Sequence, residues 1–201
     1  MDPADRREQL LDAALALALE RGFHAVSIDG VARAAGVTRP VVYGQFASSA
    51  DLLTGVLERA ERRSLAQLGP VLPSVPTPGE AVDPDELLVR GLTAYLTAVR
   101  DDPATWRVVL LPPEGAPPEL AQRVRVNHSV VLSALRELAT WGFAARGEPA
   151  LDVELFARSL LLLSEGAARM VLADPDRYPV ERFTGFARAL LASLHAEPPH
   201  P

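Results

Sequence analysis

Gly36 is the position that most restricts what this chain can become. It falls inside the stretch Ser27 to Phe46, between two short runs of helical periodicity. Ile28, Val31 and Ala32 recur at helical spacing behind Ser27, whose hydroxyl suits the free N–H groups of a first turn. A helix that starts there must stop near Gly36, the residue that takes a positive φ at little cost. The chain then restarts. Thr38 is a candidate cap, and Pro40 falls in the new first turn, where a missing N–H does no harm. Val42 and Phe46, four apart, share an inward face, which turns Arg39, Val41, Tyr43 and Gln45 largely elsewhere. Two short helices around a glycine turn are the pattern of a helix-turn-helix, whose second helix enters the DNA major groove. By itself the pattern also fits a purely structural helical hairpin.

The flanking residues extend the pattern. From Arg7 to Leu53 the chain carries the pairs Leu10-Leu11 and Ala13-Ala14, then Gly22-Phe23, Val31-Ala32 and Ala35-Gly36-Val37-Thr38. Tyr43 with Phe46 and the pair Leu52-Leu53 complete the set. Together these residues, about a quarter of the chain, resemble the DNA-binding domain of the TetR family of transcriptional repressors. The resemblance implies an all-α fold, with a three-helix helix-turn-helix DNA-binding domain over 1–47. A helical ligand-binding and dimerisation domain over 48–197 would follow. Double-stranded operator DNA is the implied partner, facing Ser27, Thr38, Arg39, Pro40, Val41, Tyr43, Gln45 and Ser49. Arg39 suits guanine or a phosphate, Gln45 a base edge, and Tyr43 a phosphate through its hydroxyl. A lysine is common in the family in the first turn of the fourth helix. Ser49 stands in its place and offers a hydroxyl beside a helix N-terminus instead of a point charge.

Overall charge does not favour a nucleic-acid partner. The net charge is −6, and all 20 basic residues are arginine. Residues 1–55 hold five arginines (6, 7, 21, 33, 39) against seven acids (2, 5, 8, 12, 20, 29, 51). DNA binding must then rest on a local patch, helix N-termini and base contacts. The chain has no cysteine, which removes disulfides and thiolate metal sites and suits a reducing cytoplasm. The N-terminus lacks a signal-peptide pattern, and the apolar run Leu160–Leu163 is too short to span a bilayer. A cytoplasmic protein with no membrane partner is expected. There is no G-x-S-x-G, H-E-x-x-H or phosphate-binding glycine loop, and His24, His128, His195 and His200 are scattered. We therefore expect no enzyme, no cofactor and no metal.

The remaining chain reads as helices. The first spans Asp5–Arg21 and is stopped by Gly22, with Phe23 plugging the small core. Arg6 and Arg7 lie near its start, either within reach of a phosphate or simply solvated. A connecting helix covers 48–68, and five prolines between Gly69 and Pro84 make that segment a loop. Further helices are expected over Asp85–Asp102, Thr105–Leu111, Pro118–Trp141 with exit at Gly142 and Gly147, Leu151–Leu172 and Pro179–His195, before a disordered tail, 198–201. Asn127 sits on the stripe of Val124 and Val131, and needs either a ligand or a core hydrogen bond. With Tyr95, Trp106, Leu110, His128, Val131 and Glu165 it outlines a site for a largely apolar small-molecule effector. Glu165 could orient that ligand or pair with Arg169 at i+4.

The last two long helices carry excess apolar surface. One stripe holds Val153, Phe156, Leu160, Leu163, Ala167 and Met170, and another Leu155, Leu162 and Gly166. Phe183, Phe186, Leu190 and Leu194 line the final helix, where Gly185 and Ala189 permit close approach. Such faces suit either a helix buried in its own domain or a second copy of the chain. TetR-like proteins usually dimerise through these helices, so Phe156, Leu160, Leu163, Ala167, Phe183, Phe186, Leu190 and Leu194 are the expected homodimer interface. The functional expectation is a repressor released from its operator by a small molecule. The alternative is a helical ligand-binding or protein-interaction module whose DNA-binding head has lapsed.

Overall fold

A computed structural model describes residues 2–70, 75–77, 80–111, 118–147 and 151–195, with the backbone alone at 118–127 and 194–195. The expected tail, 198–201, lies outside the described residues. Among the described residues the regular structure is helical. The helices are α1 (Pro3–Arg21), α2 (Ile28–Ala34), α3 (Arg39–Tyr43), α4 (Ser49–Leu68), α5 (Pro84–Asp101), α6 (Pro103–Leu110), α7 (Pro118–Arg146), α8 (Val153–Ala173) and α9 (Val180–His195). None of the described helices is long and apolar enough to cross a membrane. The chain packs as two compact units, residues 1–66 with 103–124, and residues 67–102 with 125–201.

The first unit is built on α1. The helix begins at Pro3, ahead of the expected Asp5, because the Asp2 carboxylate accepts from the Ala4 N–H at 3.1 Å and Pro3 suits a first helical position. Gly22 ends it at φ +85°. Leu10, Leu11 and Ala14 pack with Phe23, Val31, Val42, Phe46, Leu52 and Val56 in one buried cluster. Val108 of α6 joins that cluster. Thus α4 and α6, which the sequence places beyond a boundary at residue 47, share the core of the N-terminal helices.

In the second unit α5 packs against α8 and α9. Val89, Leu96 and Val99 of α5 are buried, as are Ala157, Ala168, Val171 and Leu172 of α8. Helix α7 differs from the sequence expectation. It does not exit at Gly142 but continues to Arg146 and stops at Gly147, φ +66°. The reason is Phe143, which is buried and meets Phe156 edge-on with ring centroids 5.1 Å apart. Burying such a ring is worth roughly 1.5–3 kcal/mol, more than the ~1 kcal/mol a helical glycine costs. The last turn is also tied to α5 by an ion pair between Arg146 and Asp85.

Two glycine substitutions should therefore act with opposite sign. A Cβ at Gly142 would meet Pro84 Cβ and Arg146 Nη1 at an ordinary 3.6 Å. Gly142→Ala should stabilise the protein by about 0.5–1 kcal/mol. Gly36→Ala, forced to φ +67°, should destabilise it by roughly 1–2 kcal/mol. Denaturant titration of both variants checks this, and shifts of the same sign would contradict it.

Candidate functional site

The turn between α2 and α3 is set by local chemistry. Ser27 Oγ accepts from the Gly30 N–H at 3.0 Å and starts α2. At the other end Val37 N–H donates to Ala32 O at 2.9 Å and Gly36 N–H to Arg33 O at 3.3 Å. This is a Schellman closure, with Gly36 as its left-handed residue at φ +67°. Thr38 occupies the cap position of α3, but its side chain makes no capping bond, contrary to expectation. The cause is Pro40. A capping hydroxyl takes the N–H of the second or third helical residue. Pro40 has none, and the Val41 N–H donates to the Thr38 carbonyl at 3.0 Å.

Three consecutive side chains of α1 hold this assembly. Arg7 donates to the Gln45 carbonyl at 3.0 Å and lies over the Phe46 ring, 4.3 Å from its centroid. Gln9 Nε2 donates to the Ala35 carbonyl at 3.2 Å. Between them Glu8, with Asp12, receives Arg59 of α4, whose Nη1 lies 3.1 Å and 2.7 Å from the two carboxylates. Arg7 is therefore engaged inside the head rather than turned to a phosphate. The outer face of α3 presents Thr38, Arg39, Pro40 and Tyr43, all exposed, with Val41 and Gln45 half-buried. Arg39 forms an ion pair with Asp29 of α2, through its Nε and Nη2. Ser49 is half-buried at the start of α4, next to a reciprocal cap. There Ser48 Oγ accepts from Asp51 N–H at 3.1 Å, and Asp51 accepts from Ala47 N–H at 2.8 Å.

The expected effector residues separate. Trp106 and Leu110 are buried and belong to the first unit. The Asn127 side chain lies outside the described residues. In the second unit Tyr95, His128 and Glu165 come together, with Val131 half-buried on the same helix as His128. Glu165 is 6% exposed, with His128 Nε2 at 2.7 Å from one oxygen and Arg169 Nη2 at 3.0 Å from the other. Such engagement is what a buried carboxylate requires. Burial pushes the Tyr95 hydroxyl well above the usual phenol range. The Glu165 charge adds to that rise, and Arg169 opposes it. The phenol thus stays protonated at neutral pH.

Residues 10–56 match the sequence profile of the bacterial regulatory proteins of the tetR family. The HTH-type transcriptional activator FasR of Mycolicibacterium smegmatis is 27% identical over 178 residues, spanning 89% of this chain and 76% of that protein. Residues 10–56 thus form a DNA-binding domain of the TetR-family type. Two solved structures share its fold. A TetR-like regulator from a Rhodococcus species aligns with TM-score 0.73 and 24% identity, covering 96% of this chain and 98% of the other. FadR of Bacillus subtilis, solved in complex with stearoyl-CoA, aligns with TM-score 0.68 and 19% identity, covering 92% and 96%.

The outer faces of α8 and α9 are apolar. Leu155, Leu162 and Leu163 are 62%, 67% and 70% exposed, and Phe186 is 67% exposed. Leu190 is exposed as well, whereas Phe156, Leu160 and Phe183 are half-buried and Ala167 is buried within the chain. The Leu194 side chain lies outside the described residues. Sequence reasoning missed Arg59 and Asp29, whose partners are 47 and 10 residues away. It also missed the approach of His128 to Glu165.

The Tyr95 environment makes a pH prediction. An unfolded tyrosine ionises near pH ~10, while the folded one resists ionisation. Its contribution is complete below about pH 10 and is lost as pH rises beyond it. Tyr95→Phe should therefore lose less stability than wild type between about pH 10 and 12. Urea titrations across that range check this, and parallel losses in the two proteins would contradict it.

Proposed function

We propose that this chain is a small-molecule-responsive repressor that binds operator DNA as a homodimer in the cytoplasm. The observation that carries the reading is the α2–turn–α3 unit. It is gripped from inside by Arg7 and Gln9 and presents Arg39 and Tyr43 outward. The exposed leucines of α8 and Phe186 of α9 supply a face that a second copy would cover. The effector site lies around Tyr95, His128, Val131 and Glu165. There a protonated phenol and an imidazole would meet the polar end of a largely apolar molecule. The stearoyl-CoA bound by FadR, which shares the fold, supports a long-chain acyl compound as the first effector to test.

Repression requires no bond chemistry, only a shift between two conformations. The effector moves the equilibrium by its difference in affinity for the two states. A coupling of ~1–3 kcal/mol lowers DNA affinity about 5- to 150-fold. One observation favours a second reading, in which the same protein activates transcription. FasR, matched over 89% of this chain, is an activator.

Three measurements test the proposal. In a gel-shift assay the wild type should bind the DNA upstream of its own coding sequence. Arg39→Ala should weaken that binding several-fold, since a lost bidentate base contact costs ~1–3 kcal/mol. Absence of wild-type binding there, or unchanged binding by Arg39→Ala together with Tyr43→Phe, would sink the reading. In light scattering, Leu163→Glu and Phe186→Glu should give monomer or aggregate, whereas an intact dimer from both would remove the α8–α9 interface. Transcription in vitro from the same promoter should fall on adding protein and recover with effector. A rise would establish the activator.

A further inference from the structure

The ion pair of Arg39 with Asp29 is solvent-exposed, with 65% and 46% of the two side chains accessible. As a contribution to folding, such a pair counts for little. Its geometry is more informative. Nε donates to Oδ1 and Nη2 to Oδ2, so the carboxylate takes the side edge of the guanidinium as a fork. A guanidinium has five N–H donors fixed in one plane. The fork leaves the distal edge, with one donor on each Nη pointing the same way. That edge is the one that matches O6 and N7 of guanine in the major groove.

Asp29 is mounted on a rigid support. Its neighbour Ile28 and Val31, two residues on, are buried in the core. The Ser27 cap fixes one end of α2, and Gln9 holds the other through Ala35. A free arginine spreads over many rotamers and must be ordered on binding. Paired to Asp29, Arg39 is ordered before DNA arrives.

We propose that Asp29 is a positioning residue for base readout, aiming the distal edge of Arg39 at a guanine in each operator half-site. The inference rests on the reading of α3 as the DNA reader. It has two consequences of opposite sign. Removing Asp29 removes a negative charge near the phosphates, so affinity for unrelated DNA rises. It also releases Arg39, so preference for guanine falls. If Asp29 merely masked Arg39, its removal would tighten operator binding and keep or sharpen the guanine preference.

The test is selection from a random duplex library with the full chain, followed by anisotropy titration of the enriched site and its single-base variants. Wild type should enrich a site with a guanine fixed in each half, favoured by about 5- to 150-fold over other bases there. Arg39→Ala and Asp29→Ala should both relax that same position to within about 3-fold, the remaining positions staying as they were. Asp29→Asn, which keeps the shape and one neutral acceptor, should fall between. It also serves if Asp29→Ala folds poorly. Guanine discrimination undiminished in both Asp29 variants overturns the inference alone, as does relaxation at a position other than the one Arg39→Ala affects. A wild type that enriches no sequence overturns the DNA-binding reading and this inference with it.

Discussion

Arg59 is a charged side chain at 3% exposure, and a guanidinium is stable there only when carboxylates and carbonyls receive it. Its Nη1 meets the Glu8 carbonyl at 3.3 Å as well as the Glu8 and Asp12 carboxylates. This contact joins α4 to α1, over the apolar face formed by Leu52, Val56 and Ala60. Neighbours on α1 then carry the restraint onward. Arg7 reaches the end of α3, and Gln9 reaches the turn after α2. Successive helical residues point about 100° apart, so positions 7, 8 and 9 can serve three partners at once. A displacement of α4 would carry α3 with it, because the links are hydrogen bonds of 3.0 Å and 3.2 Å and close-packed side chains.

Several acids of the head are engaged by such contacts. Glu8 and Asp12 face Arg59, and Glu20 lies beside Arg21. Asp51 accepts from a backbone N–H at the start of α4, and Asp29 holds Arg39. Arg59 lies outside residues 1–55 and offsets one of these acids, so the head's acidic surplus is smaller than that segment's own count. Steering at long range remains weak. Affinity must then come from close contacts.

The features legible in the sequence are those decided within a few residues. Ser27, Gly22 and Gly36 announce their roles because caps and left-handed turns depend on local backbone chemistry. The inward pair Val42 and Phe46 follows from helical spacing, and both are buried. Arg169 reaches Glu165 at i+4, as spacing allows. Thr38 makes no capping bond because Pro40 has no N–H and the Val41 N–H goes to the Thr38 carbonyl instead. Gly147, where α7 stops, is legible as a helix end, but the passage through Gly142 is not, because it depends on Phe143 meeting Phe156 on another helix. His128 and Glu165 are 37 residues apart and on different helices, a pairing no periodicity exposes. Trp106 suits a ligand contact by its chemistry, and its burial in the first unit at 2% exposure is not legible from that.

As the proposed homodimer, two copies of this head would read two half-sites at once. Successive major grooves on one face of B-DNA lie ~34–36 Å apart, or 10–10.5 bp. Hydroxyl-radical footprinting of wild-type protein on its selected operator measures that spacing directly. The account predicts two protected half-sites related by a dyad, their centres one turn of duplex or a whole multiple apart. A single unpaired footprint, or two whose centres fall on opposite faces of the duplex, would contradict it.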